Sequence, residues 1–158
     1  YIFTRMKIKV ITISREEDEH AHALFSGYIK RLKHYTSFEF INLKPVKNAT
    51  EPAQKKSDGE LLLKKISEKE ILVLLDERGK EMSSVQLADF ITAKMNASTQ
   101  SITFVIGGAY GFDESVYSRC NEKIALSKMT LPHQIAKVFL AEQLYRAFTI
   151  LRNEKYHH

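Results

Sequence analysis

Residues 124 to 148, IALSKMTLPHQIAKVFLAEQLYRAF, constrain the chain more than any other stretch, because an apolar strand, a polar turn and a long apolar helix follow one another without a spare residue. Ile124 to Leu126 read as strand. Ser127 to Thr130 form a turn rich in hydrogen-bonding groups, and Pro132 supplies the fixed φ that suits the first turn of a helix. From Ile135 the apolar residues Val138, Phe139, Ala141, Leu144, Tyr145, Phe148 and Leu151 recur at spacings of three and four, while Gln134, Lys137, Arg146 and Thr149 interrupt them. Phe139 and Leu140 widen this stripe beyond what one sheet face covers, so a second apolar partner, another subunit, is expected. Any chemistry is expected at the turn between strand and helix.

The rest of the chain alternates in the same way. Lys7 to Ile13 (KIKVITI) is β-branched and alternating, hence a first strand. Ser14 with Glu17 three residues on predicts a capping box, and the helix that follows has Ala21, Leu24, Phe25, Tyr28 and Leu32 as its core face. Phe38 to Leu43 is a second strand, residues 44 to 59 read as a polar loop or a loosely held helix start, and Leu61 to Ile66 is helical. Ile71 to Leu75 (ILVLL) is a continuous apolar run of the kind that fills a parallel sheet, followed by a charged turn, Asp76 to Lys80. Ser83 or Ser84 caps a helix with Leu87, Ala88, Ile91 and Met95 on one face. Ile102 to Ile106 is the fourth strand. It ends in Gly107, Gly108, Ala109, Tyr110 and Gly111, a loop whose glycines serve either close backbone approach to a ligand or a tight turn, and Asp113 caps a short helix beyond it.

Strands alternating with helices imply an α/β domain with a mainly parallel sheet and helices on both faces. Ligands of such sheets gather at the carboxyl ends of the strands. Three loops should converge there: the one after Leu75, the glycine loop at 107 to 111, and the turn at 126 to 131. The first strand is followed by Ser14, Arg15 and Glu16, with no glycine fingerprint, so an ordinary dinucleotide-binding dehydrogenase is a poor fit.

At 158 residues the chain has the length of one domain. That domain is expected over residues 6–158, with Tyr1 to Arg5 as an upstream extension before a natural start at Met6. No apolar run approaches the roughly 18 residues of a membrane span, and a lone cysteine, Cys120, suits a reducing cytoplasm. The histidines show no metal-ligand spacing, so neither a metal nor a membrane is expected as a partner. A net charge of +5 favours an anionic one. The basic cluster at Lys30 to His34 reads first as a partner of the helix dipole and second as a nucleic-acid contact.

The IGGAYG loop, the LSKMTLPHQ turn, the AEQLYRAF helix and the terminal NEKYHH, in this order and near this spacing, resemble the RlmH family of ribosomal RNA methyltransferases of the SPOUT class. The resemblance spans Met6 to the C-terminus. It implies a cytoplasmic homodimer with a C-terminal trefoil knot, using S-adenosyl-L-methionine to methylate N3 of a pseudouridine in a hairpin of 23S rRNA on assembled ribosomes. Carried over by position, it places methyl-donor contacts at Leu75, Gly107, Leu126, Ser127, Lys128, Met129, Thr130 and Leu131. Tyr156 and His157 match the substrate-side ending of the family, whereas His158 stands where a basic residue is more usual.

Transfer to an imide nitrogen requires aligned reactants and loss of the N3 proton. His157 is the first candidate for proton acceptor, with positioning through its ring as the alternative role. Arg146 and His133, expected near the donor turn, are candidates for stabilising the anion that develops on the uracil carbonyl. The competing function is a non-enzymatic ribosome-binding or RNA-binding protein of the same fold, favoured by the net charge and the basic clusters at Lys30 to His34 and Lys44 to Lys56.

Overall fold

The computed structural model describes residues 6–158; the reading of residues 1–5 as an extension lies outside the described residues. Five strands, β1 (Lys7–Ile13), β2 (Ser37–Leu43), β3 (Ile71–Glu81), β4 (Ser101–Ile106) and β5 (Glu122–Ala125), form one sheet of order β2-β1-β4-β3-β5 in which every pairing is parallel. The helices are α1 (Glu19–Leu32), α2 (Glu51–Leu63), α3 (Ser84–Asn96), α4 (Glu114–Arg119) and α5 (His133–Leu151).

Alternation along the strands divides the core in two. Ile8, Val10, Val73, Ile102 and Phe104 face a cluster built with Phe25, Ile29 and Leu32 of α1, Ile91 of α3 and Leu140, Leu144 and Phe148 of α5. Ile11, Leu72, Leu74 and Val105 point the other way, onto Leu62 of α2 and Val116 of α4. Being buried on both faces is why β4 is apolar from Ile102 to Ile106 except at Thr103, whose hydroxyl donates to Glu70 at 3.0 Å. Lys9 of β1 is buried as well, and it donates to the Lys65 carbonyl at 3.1 Å and to Glu70 at 2.7 Å.

Four local expectations are corrected. Helix α1 begins later than the Ser14/Glu17 pattern predicts: Asp18 is its cap, accepting from the Ala21 N–H at 2.9 Å, while Ser14 forms a small turn with Glu16. The intervening loop is held from far along the chain, since the Gln134 amide donates to the Glu16 carbonyl at 3.0 Å and Glu17 lies 3.7 Å from buried Lys137. Tertiary contacts therefore override the local capping signal. Second, of the two readings of 44 to 59 the helix start holds from Glu51 on, capped by Thr50, while the helix expected over Leu61 to Ile66 ends at Leu63. Beside buried Leu62 it packs through Gly59, where a side chain would press on Val116 at 3.2 Å and on Asp113, the cap of α4, at 3.3 Å, so part of the face that α2 turns to α4 has no side chain to show an apolar period.

Third, the charged segment after Leu75 is not a turn but a continuation of β3. Leu75 pairs with Ile124, and after an irregular stretch Lys80 pairs with Ile124 again and Glu81 with Ala125. Gly79 is what allows this, because a Cβ there would lie 2.7 Å from the Ile124 nitrogen and 2.7 Å from the Lys123 carbonyl carbon. Fourth, Leu24 and Met95, expected in the core, are exposed. Helix α3 starts as expected, with Ser83 and Gln86 forming a complete capping box.

Candidate functional site

The carboxyl ends of β1 and β4, the middle of β3 from Leu75 to Arg78 and the residue that follows β5 open into one cleft of about 800 Å³, with Ile13, Ile106, Leu75 and Leu126 in its lining. The three loops singled out from the sequence meet there. Of the expected donor contacts, Leu75, Gly107, Leu126, Ser127, Met129, Thr130 and Leu131 line the cleft, and Lys128 does not: its ammonium turns outward, 3.9 Å from Glu81. The 126 to 131 turn is tightened by the Ser127 hydroxyl, which accepts from the Met129 N–H at 2.9 Å, and Met129 itself is 78% exposed at the rim. In the glycine loop the Gly111 N–H closes onto the Gly108 carbonyl at 3.2 Å, with Gly111 at φ +83, a conformation that favours glycine. Gly107 has a different reason to be glycine, since a Cβ there would meet the Phe112 ring at 2.9 Å.

His133, in the first turn of α5, borders the same cleft. Both ring nitrogens are buried without a well-formed hydrogen bond. Burial pushes its pKa below the usual 6.5, an effect that the Ile106 carbonyl only partly offsets. The folded protein thus prefers neutral His133, while the unfolded chain takes up a proton near pH 6.5. This contribution to stability is present above that pH and is lost as the pH falls through and below it. In thermal unfolding across that range, His133→Gln is expected to show a flatter acid-side decline than the unsubstituted protein; parallel curves would remove His133 as the cause.

A second polar group on the cleft wall was not singled out from the sequence. The Tyr117 hydroxyl donates to Asp76, and Arg78 donates to the Tyr117 oxygen at 3.0 Å and, through its backbone N–H, to Asp76 at 2.9 Å. Burial alone would raise the Asp76 carboxyl, but the hydrogen bonds from Tyr117 and Arg78 hold it below its ordinary value. Reading Asp76 to Lys80 as a turn concealed this arrangement.

The remaining candidates lie elsewhere. Arg146, expected beside the donor turn, is on α5 between three and four turns from His133, roughly 20 Å at 1.5 Å per residue. There it meets the chain terminus: its guanidinium donates to Glu142 at 2.6 and 2.9 Å, lies 3.1 Å from His157 Nδ1, and sits 4.8 Å from the Tyr156 ring centre. Tyr156 donates to the same Glu142 oxygen at 3.0 Å, and burial together with this carboxylate pushes its phenol up to about 12. Tyr35 donates to Glu154 at 2.6 Å and fastens the start of the tail. The structure therefore joins Arg146, Tyr156 and His157 into one cluster around Glu142, and leaves His133 with the cleft. Glu142 was absent from the sequence reading, although its i,i+4 spacing to Arg146 was visible.

A parallel sheet covered on both faces, with a cleft at the strand ends bounded by a glycine loop and a turn leading into the last helix, defines an α/β protein of the ligand-binding open-sheet kind. The chain belongs to the SPOUT methyltransferase family: a family model described as "Predicted SPOUT methyltransferase" matches residues 6–157. It is 47% identical over 156 residues to Ribosomal RNA large subunit methyltransferase H of Christiangramia forsetii, covering 97% of this chain and 99% of that protein. The protein of the same name from Geotalea daltonii is 41% identical over 153 residues, covering 97% of this chain and 100% of that one. In fold the chain is similar to a solved structure of a probable methylase family protein from Haemophilus influenzae, with a TM-score of 0.53 over 96% of this chain and 70% of that one, at 15% identity.

Proposed function

We propose that the protein transfers a methyl group from S-adenosyl-L-methionine to N3 of a pseudouridine in 23S rRNA, on the assembled ribosome. The observation that carries this reading is the convergence of Leu75, Gly107 and the 126 to 131 turn on one cleft, in a chain that matches proteins named large subunit rRNA methyltransferase over nearly its whole length. The cleft suits the donor: Leu75, Ile106, Leu126 and Leu131 offer an apolar slot for adenine, and the backbone of the glycine loop and the turn offers hydrogen bonds to its edge. The donor supplies an electrophilic methyl group on a sulfonium. The protein's own residues have to align the acceptor, receive its N3 proton and stabilise negative charge on the base.

For that task we assign the tail cluster. His157 takes or helps to displace the proton, and Arg146, beside it, faces the developing anion. Tyr156 holds both through Glu142. Because this cluster is far from its own cleft along α5, residues 6–158 act as one domain within a homodimer whose tail completes the partner's site. Ile135 and Phe139, 52% and 38% exposed on consecutive turns of α5, and Leu24 on the adjoining α1 supply the apolar surface for such a partner. The C-terminal segment is proposed to be knotted, as the family resemblance implies.

A purely RNA-binding role predicts no donor affinity and no change in rRNA modification. Nucleoside mass spectrometry of 23S rRNA from cells with and without the gene is expected to show a single methylated pseudouridine that disappears with the gene. Identical profiles would overturn the proposal.

A further inference from the structure

Asp58 is a carboxylate that the proposed chemistry leaves unused. It lies in α2, is 6% exposed, and borders the cleft on the wall opposite the 126 to 131 turn's helix. Its Oδ1 accepts from the Gln54 amide at 2.8 Å. Gln54 is itself fixed, donating to the Val46 carbonyl at 3.0 Å and accepting from the Asn48 N–H at 2.9 Å, so the carboxylate is held in one orientation. Oδ2 receives no hydrogen bond among the described residues, and no lysine, arginine or histidine there forms an ion pair with Asp58. The free oxygen faces Gly108, where a Cβ would stand only 2.8 Å from it. Glycine at that position keeps the oxygen open to the cleft.

A buried carboxylate with one oxygen satisfied and the other turned into a cavity is costly unless a cation arrives with the ligand. We propose that Asp58 Oδ2 binds the α-ammonium group of the methionyl part of the donor, with Gln54 as the residue that positions it. This rests on the reading of the cleft as the donor site. The ammonium is the only part of that donor with charged N–H groups to give; the sulfonium carries charge but no proton, and the adenine is neutral. Gly108 then has a role distinct from that of Gly107: one keeps the carboxylate accessible, the other makes room for Phe112.

The test compares three ligands by calorimetry on the full protein and on Asp58→Asn: S-adenosylmethionine, S-adenosylhomocysteine, which lacks the sulfonium charge but keeps the ammonium, and methylthioadenosine, which lacks the amino-acid part. Loss of one charge-assisted hydrogen bond is expected to weaken the first two roughly tenfold or more and to leave methylthioadenosine within about twofold. Asp58→Ser, smaller than the native side chain, gives the same discrimination should the amide variant fail to fold. Equal weakening of all three ligands would make Asp58 merely part of the wall, weakening of S-adenosylmethionine alone would place the carboxylate on the sulfonium, and unchanged affinities would leave it without a ligand; each overturns the proposal. Failure of the unsubstituted protein to bind any of the three would instead overturn the donor reading, and the proposal with it.

Discussion

Deletion of Glu154 to His158 is expected to abolish methyl transfer while donor affinity and dimerisation stay nearly unchanged. Loss of the proposed proton acceptor, His157, together with its orienting partners should lower the rate by about 10³ or more, the upper part of the range for acid–base groups. Stability should fall by about 2–3 kcal/mol, because the deletion removes the hydrogen bonds of Tyr35 to Glu154 and Tyr156 to Glu142, the contact of Arg146 with His157, and the packing of the Tyr156 ring on Arg146 and Tyr145. The cleft keeps every residue that lines it. A stronger form of the prediction uses mixed dimers. A tail-less subunit paired with a subunit carrying Leu131→Arg in the cleft, each inactive with its own kind, should recover part of the activity, since one intact tail then faces one intact cleft. No recovery after confirmed subunit exchange would put the tail at its own subunit's site and end the composite reading.

Gly79→Ala is expected to be the most damaging single-methyl change in the sheet. The added carbon would lie 2.7 to 2.8 Å from backbone atoms of Lys123 and Ile124, which cannot swing aside as a side chain can. Strand β5 must move, and it is the short strand that delivers the chain to the 126 to 131 turn. Overpacking of this kind costs about 2–3 kcal/mol, roughly 4–12 °C in Tm for a domain of this size. Donor affinity should fall with it, because the turn is displaced along with the strand. The same substitution at Gly27, which has nothing within 4 Å of its Cβ position, serves as the control and should be neutral or slightly stabilising. A thermal midpoint for Gly79→Ala equal to that of the Gly27 control would show that β3 and β5 are not packed as described.

The strands were legible because burial on both sheet faces leaves mostly apolar runs, ILVLL without a break and ITFVI with Thr103 alone interrupting. The last helix was legible from its spacing. What the sequence concealed lies where packing depends on something other than apolar side chains. Helix α2 docks through Gly59 and turns Asp58 to the cleft, so its buried face carries no period. The extension of β3 is charged, and only its pairing with β5 reveals it. The loop after β1 is set by Gln134 and Lys137, more than a hundred residues on, against a plausible local cap. Leu75, Gly107 and the 126 to 131 turn, singled out by the motifs, line one cleft, Lys128 excepted. The motifs did not place Arg146, because a helical position says nothing about which end of the helix a distant tail will fold against.

Methylation of rRNA through this cleft would be read by incorporation of methyl label from S-adenosyl-L-methionine by the purified protein into ribosomes from cells lacking the gene. A small domain of modest positive charge should recognise the folded particle rather than a long sequence. Label is therefore expected at N3 of one 23S rRNA pseudouridine in ribosomes, with little in a free synthetic hairpin of the same sequence, and less in ribosomes as salt rises. No incorporation into ribosomes under conditions where the protein binds the donor would contradict the account.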